Sequence, residues 1–275
     1  MGRAEAFSGP VAVFSGGGTG GHLYPALALA DALGRIRPDV GIFFLGARGG
    51  LEARILPERG LTHKLLPVRG FRRDRLLVNL SILWDLVRSV VSTGQLFNGI
   101  RPALVVVTGG YACGPAGLVA GLMGIPIALQ EQNAQMGFTA RVLSRWARQI
   151  HLAFPEAREE LPSGARSRAV LSGNPVRERL PMDPRSARAR LGLKPESRVV
   201  LVTGGSQGAR GVNRAVLEAV TDVVSGRLPL PENLEILWAT GPSQIDWVLE
   251  ELEALENPSW VRAVGYIEEM PEALG

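Results

Sequence analysis

His22 is one of 3 histidines in this chain of 275 residues, and it directly follows six residues of glycine and threonine, Gly16-Gly-Gly-Thr-Gly-Gly21. An apolar run, Val11-Ala-Val-Phe14, precedes that turn. A strand, a glycine turn and then a helix bring backbone N–H groups close to an anion, with the partial positive charge of the helix N-terminus behind them. That charge disfavours protonation of a histidine in the first helical turn, and a neutral imidazole there is a candidate general base. The plainer alternative is a solvent-exposed residue at a helix start. The same pattern returns in Leu104-Val-Val-Val-Thr-Gly-Gly-Tyr111 and in Val199-Val-Leu-Val-Thr-Gly-Gly-Ser-Gln-Gly-Ala-Arg210. Its repetition points to two domains facing one phosphorylated ligand.

A second cluster of chemistry-bearing side chains is Ala128-Leu-Gln-Glu-Gln-Asn133, where four polar residues close an apolar run. Ligands of open parallel sheets sit at strand C-termini. Glu131 there is a candidate to orient a base or hold a sugar hydroxyl, and Asn133 to hold an amide or hydroxyl. Ordinary loop capping explains them equally well. Gly16 to Gly21 also matches the dinucleotide fingerprint Gly-x-Gly-x-x-Gly, which wants an acid at the end of the next strand. That strand ends Phe43-Phe-Leu-Gly-Ala-Arg48 without one, which disfavours NAD. No Asp-x-Asp pair marks a metal-held diphosphate.

The basic segment Arg69-Gly-Phe-Arg-Arg-Asp-Arg75 runs into Leu76, Leu77, Leu80, Leu83, Trp84, Val87 and Val91 at helical spacing. Ile82, Leu86 and Val90 widen the stripe beyond what one core face needs. Arg69, Phe71, Arg72, Arg73, Arg75 and Trp84 are therefore candidates for contact with a membrane surface. A core helix with a solvated basic flank is the alternative.

Composition sets the bounds. Hydrophobic residues make up 46% and charged residues 20%, the balance of a folded globular chain. The net charge of +4 suits an anionic partner, but with aromatics at 6% and no nucleic-acid motif, nucleic acid is not expected. The lone cysteine, Cys113, cannot form a disulfide within the chain. The first ten residues lack the apolar core of a secretory signal. No run reaches the roughly 18 apolar residues that would span a bilayer.

The elements that must carry these residues alternate. Strands are predicted over Val11–Phe14, Val40–Leu45, His63–Pro67, Leu104–Val107, Pro126–Leu129, Gln149–Leu152 and Ala169–Leu171, and again over Arg198–Thr203, Leu234–Ala239 and Val261–Val264. Helices are predicted over His22–Arg35, Leu51–Arg59, Leu76–Phe97, Gly114–Met123, Phe138–Ala147, Pro184–Leu191, Val212–Val224 and Ser243–Leu255. Such alternation implies parallel α/β sheets. Ser172-Gly-Asn-Pro-Val-Arg177 breaks the rhythm, since Pro175 holds Asn174 extended. Two domains follow, 1–173 and 174–275, the second with few strands and expected to be incomplete.

Taken in order, Gly17-Gly-Thr-Gly-Gly-His22, Thr108-Gly-Gly-Tyr111 with Gly114-Pro-Ala-Gly117, Glu131-Gln-Asn133, Gly173-Asn-Pro-Val-Arg177 and Gly204-Gly-Ser-Gln-Gly-Ala-Arg210 resemble the MurG-type transferases of peptidoglycan synthesis. The resemblance implies a GT-B architecture, two Rossmann-like doubly wound domains with a cleft between them, the second truncated here. It implies a metal-independent, inverting transfer of N-acetylglucosamine from UDP-N-acetylglucosamine to undecaprenyl-diphosphate-linked N-acetylmuramoyl-pentapeptide, lipid I, with no cofactor. The first domain would face the acceptor and the membrane, and the second would hold the UDP-sugar. By carry-over, Thr19, Gly20, Gly21, Asn133, Arg177, Ser206, Gln207, Gly208 and Ile267 would touch substrate. His22, Glu131 and Tyr111 would line the catalytic centre, with His22 or Glu131 as the base. The implied place is the cytoplasmic face of the bacterial plasma membrane, bound peripherally to its anionic surface, with other cell-wall enzymes as partners. Gln130 stands where many members have histidine. Other GT-B enzymes acting on a glycolipid, and a non-catalytic membrane-associated module, remain rival expectations.

Overall fold

The computed structural model describes residues 7, 9–70, 76–176, 183–205, 207–267 and 270–274. Phe71, Arg72, Arg73, Arg75, Arg177 and Ser206 lie outside the described residues. The chain divides into two compact units, 1–178 and 179–275.

The first unit is built in the order β1 (Val11–Ser15), α1 (Gly20–Ile36), β2 (Gly41–Ala47), α2 (Glu52–Glu58), β3 (His63–Leu66), α3 (Leu76–Ile100), β4 (Leu104–Val107), α4 (Gly114–Leu122), β5 (Ile127–Glu131), α5 (Phe138–Leu143), β6 (Gln149–Leu152), α6 (Ser163–Arg166) and β7 (Ala169–Leu171). The strands form one parallel sheet in the order β3-β2-β1-β4-β5-β6-β7. Side chains alternate between the two faces of a strand. Along β1, Val11 and Val13 enter one core layer while Ala12 and Phe14 enter the other. Both faces are covered, which is why the central strands β1, β2 and β4 are mainly apolar. One layer takes Phe97 of α3, Ala116 and Val119 of α4, and Ala140 and Leu143 of α5. The other takes Leu23 and Leu27 of α1 and Leu56 of α2. Full burial of each leucine side chain contributes about 1.5–3 kcal/mol.

Strand order reverses between β1 and β4, because β2 lies on one side of β1 and β4 on the other. The ends of strands at such a switch point leave a crevice. The first two glycine turns leave the sheet there, one after Ser15 of β1 and one after Val107 of β4, which pair in register.

Among the element ends that differ from expectation, two bear on the site. Strand β5 continues through Gln130 and Glu131, which pair with His151 and Leu152 and are 4% and 1% exposed. Polar residues persist in a buried strand when each finds a partner, as both do here. Helix α5 stops at Leu143 rather than Ala147. The Arg168 guanidinium takes the carbonyls of Ser144, Arg145 and Ala147 and so closes that helix end.

Helix α3 divides its wide stripe. Ile82 and Phe97 are buried, while Leu83, Trp84, Val87 and Val91 are exposed. Among the described residues no helix is long and apolar enough to cross a membrane.

The second unit contains α7 (Pro184–Arg190), β8 (Arg198–Thr203), α8 (Arg210–Val224), β9 (Leu234–Ala239), α9 (Ile245–Ala254), β10 (Val261–Val264) and α10 (Met270–Ala273). Its described strands form a parallel sheet in the order β10-β9-β8. Leu193, Leu237, Ala239 and Ile267 form one core cluster, and Val220, Trp238, Val248 and Leu252 another.

Candidate active site

His22 occupies the first turn of α1, and the second glycine turn is its seat. Its Nδ1 lies 3.0 Å from the Thr108 carbonyl and 3.2 Å from Oε1 of Gln132. A backbone carbonyl only accepts, so Nδ1 carries the proton and Nε2 of the neutral ring keeps a free lone pair. Among the described residues Nε2 has no hydrogen-bond partner. The Gln132 amide is itself oriented, because its Nε2 donates to the Gln130 carbonyl at 3.2 Å. The Thr108 hydroxyl donates back to the His22 carbonyl at 2.7 Å.

This packing explains two glycines. Gly109 has φ +94° and Gly110 φ +77°. A Cβ on Gly109 would fall 2.7 Å from His22 Nδ1, and one on Gly110 would fall 2.2 Å from the Gly17 carbonyl oxygen. The second turn makes room for His22 and for the first turn.

The first turn carries an anion of its own. Glu52, at the start of α2, is fully buried. Its carboxylate accepts the Gly18 N–H at 2.9 and 3.1 Å and the Ala47 N–H at 2.9 Å. Glu52 lies five residues beyond Ala47, the last residue of β2, and nothing in its local sequence marks it for this role. Thr19 caps α1 in extended conformation, and its carbonyl takes the His22 and Leu23 N–H groups. The Gly20 and Gly21 N–H groups start the helix and have no acceptor among the described residues. The Tyr111 ring lies over Gly18, where a Cβ would fall 2.6 Å from Cε1. Partial burial raises the pKa of its hydroxyl, and the negative charge of Glu52 adds to that rise.

The Glu131 carboxylate is enclosed by donors. Its Oε1 accepts the Asn133 N–H at 3.1 Å and Nδ2 at 2.9 Å, and its Oε2 accepts the Gly137 N–H at 3.1 Å. With that many donors and 1% exposure, the carboxylate shapes the 131–137 turn and the start of α5. It also aims the exposed Asn133, whose amide oxygen stays open. Gln130 donates to the Gly173 carbonyl at 3.1 Å, and Asn174 donates to the Gln132 carbonyl at 3.4 Å. The end of β5 thereby gathers His22, Asn133 and the Gly173-Asn174 segment in one place.

In the second unit the third glycine turn interlocks with residues 240–241. A Cβ on Gly208, at φ +74°, would fall 1.9 Å from the Thr240 carbonyl oxygen. Gly241, at φ +94°, meets the Gln207 carbonyl in the same way. Asn213 is fully buried beneath them; its amide donates to the Thr240 carbonyl at 2.8 Å and accepts Trp238 Nε1 at 3.0 Å. Gln207 is exposed, Ala209 caps the 15-residue helix α8 without a side-chain bond, and the first N–H groups of the helix have no acceptor among the described residues. Ile267 is 4% exposed and packs in the core, so its side chain offers a ligand no surface and only its backbone can.

Arg69 is half-exposed. Its guanidinium pairs with Asp85 at 2.6 Å and donates to Ser81 at 3.1 Å, which commits much of its charge within the protein. Trp84 is 62% exposed beside Leu83, Val87 and Val91 on α3. Cys113 is buried, donates to the Gly110 carbonyl at 3.2 Å, and burial pushes its thiol up to about 12.

Residues 12–152 match the model of the Glycosyltransferase family 28 N-terminal domain, and residues 199–275 that of its C-terminal domain. The UDP-N-acetylglucosamine--N-acetylmuramyl-(pentapeptide) pyrophosphoryl-undecaprenol N-acetylglucosamine transferase of Salinibacter ruber is 39% identical over 265 residues, 96% of this chain and 69% of the relative. The enzyme of the same name from Desulfitobacterium hafniense is 39% identical over 267 residues, covering 95% and 70%. Among solved structures, MurG of Acinetobacter baumannii matches with a TM-score of 0.63 at 25% identity, over 96% of this chain and 68% of that one. HepE of Anabaena in complex with UDP and glucose shares the fold, with a TM-score of 0.58 at 12% identity, covering 96% and 71%. The GT-B fold class and the order of motifs agree with these matches. The chain belongs to glycosyltransferase family 28 and, within it, to the MurG-type N-acetylglucosamine transferases.

Proposed function

We infer that this chain moves N-acetylglucosamine from UDP-N-acetylglucosamine to the C4 hydroxyl of undecaprenyl-diphosphate-linked N-acetylmuramoyl-pentapeptide. The observation that carries the chemistry is the seat of His22. Its Nδ1–H is tied to Thr108, which leaves Nε2 as the basic atom. Nε2 takes the proton of the acceptor hydroxyl while that oxygen attacks the anomeric carbon of the donor. The bond to UDP breaks, the diphosphate leaves with its electron pair, and one displacement inverts the configuration. Glu131 positions Asn133, which holds a donor hydroxyl or amide. Thr19, Gly20 and Gly21 meet the donor through the open N–H groups at the start of α1. The open N–H groups at the start of α8, with Gln207 and Gly208, meet the leaving diphosphate where its charge develops. Tyr111 stands beside the acceptor.

The 1–178 unit receives the acceptor, and the exposed Leu83, Trp84, Val87 and Val91 of α3 rest on an anionic membrane surface. The enzyme thus works peripherally at the cytoplasmic face of the membrane, where its acceptor lies, beside other cell-wall enzymes.

The test is product analysis after incubation with labelled UDP-N-acetylglucosamine. Label should enter the lipid-linked muramoyl acceptor and not diacylglycerol. Label in diacylglycerol alone would favour another glycolipid transferase.

A further inference from the structure

Glu52 is a buried ionisable group that this chemistry does not use. It is fully buried, and among the described residues no cation pairs with it. Burying a carboxylate costs several kcal/mol unless strong hydrogen bonds offset it. Here the compensation is backbone alone, the N–H groups of Gly18 and Ala47. Space for the carboxylate is made by three glycines from separate segments. A Cβ would fall 2.3 Å from it at Gly17, 2.4 Å from its Cγ at Gly46 and 2.3 Å from it at Gly50. Gly18 itself stands at φ +87°, a conformation that aims its N–H at the carboxylate. The glycine turn is therefore folded around an anion supplied by the chain. Its Gly18 N–H is engaged, while those of Gly20 and Gly21 remain open.

We propose that Glu52 is a positioning residue for the donor site: its carboxylate holds Gly18 inward and thereby sets Thr19, Gly20 and Gly21 in the arrangement that receives the donor sugar. This rests on the reading that those residues meet the donor. The charge-assisted bonds to Gly18 make the geometry of the turn depend on both carboxylate oxygens. Glu52→Gln keeps the volume and one acceptor, but sets an NH2 group against the Gly18 N–H. Gly50→Ala keeps the charge, but its methyl displaces the carboxylate.

The experiment measures the KM for UDP-N-acetylglucosamine in the full chain for wild type, Glu52→Gln and Gly50→Ala, with folding checked by circular dichroism. Misplacing the turn should raise the donor KM by about tenfold or more. A merely structural role would lower the amount of active enzyme, reducing turnover at unchanged KM, and that result would overturn the proposal. If Glu52→Gln does not fold, Gly50→Ala decides. If wild type transfers no sugar, the transferase reading fails by itself. The backbone NMR resonances then decide the role of Glu52: in the folded variant, shifts concentrated at residues 16–22 support it, and an unchanged turn refutes it.

Discussion

Thr108 holds His22 twice, taking the Nδ1–H of the ring on its carbonyl at 3.0 Å and giving its hydroxyl to the His22 carbonyl at 2.7 Å. One residue of the second glycine turn thus fixes both the tautomer of the ring and the backbone that carries it. The two partners lie 86 positions apart in the chain and meet because β1 and β4 are neighbours at the switch point of the sheet.

Replacing Thr108 with valine preserves shape and the carbonyl but removes the hydroxyl. The His22 carbonyl then loses the Thr108 donor and keeps its place in the α1 ladder, which should destabilise the fold by about 0.5–1.5 kcal/mol. Looser seating should lower turnover by about tenfold or more. Denaturant melts and steady-state kinetics of the same preparation check both, and unchanged kinetics would mean the clamp is structural only.

Glu131→Gln separates a base from a scaffold. The carboxylate accepts from Asn133 twice and from Gly137 once. An amide places a donor against one of those donors, so stability should fall by about 1–3 kcal/mol. Turnover of the folded variant should fall far less than in a variant lacking His22. A loss of about two to four orders of magnitude, with stability intact, would return the role of base to Glu131.

The Cys113 thiol gives a pH signature. Its pKa is raised from 9.0 to about 12 in the folded chain. The unfolded chain loses this proton first, so above pH 9 it binds fewer protons than the folded chain and stability falls as pH rises. The contribution is intact below pH 9 and is lost progressively between pH 9 and about 12. Cys113→Ala should flatten the alkaline decline in chemical melts, and an identical decline would assign it to other groups.

Trp84→Ser removes the largest exposed side chain described on α3. Partition onto anionic vesicles should weaken by about tenfold, the equivalent of burying one large apolar side chain. Sedimentation with vesicles measures this, and unchanged binding would place the membrane contact elsewhere.

The apolar runs, the glycine turns and the polar end of β5 were legible in sequence because strand burial and turn geometry leave strong local marks. What a turn binds was not legible. Gly109 and Gly110 look like a ligand cradle until His22 and Gly17 are seen to fill the space beside them. Glu52 was missed because its partners, Gly18 and Ala47, come from different connections of the sheet. That the core takes the Ile267 side chain and leaves only its backbone for a ligand was not legible either. The bond of Arg69 to Asp85, 16 positions on, was likewise not marked in the sequence. Each depends on distant pairing, which spacing along the chain does not encode.

Most direct is the comparison of wild type with His22→Ala, following labelled N-acetylglucosamine from UDP-N-acetylglucosamine into the lipid-linked muramoyl acceptor. Wild type should transfer the sugar, and the folded variant should be slower by about two to four orders of magnitude. A folded His22→Ala protein within a few-fold of wild type would contradict the assignment of His22 as the base.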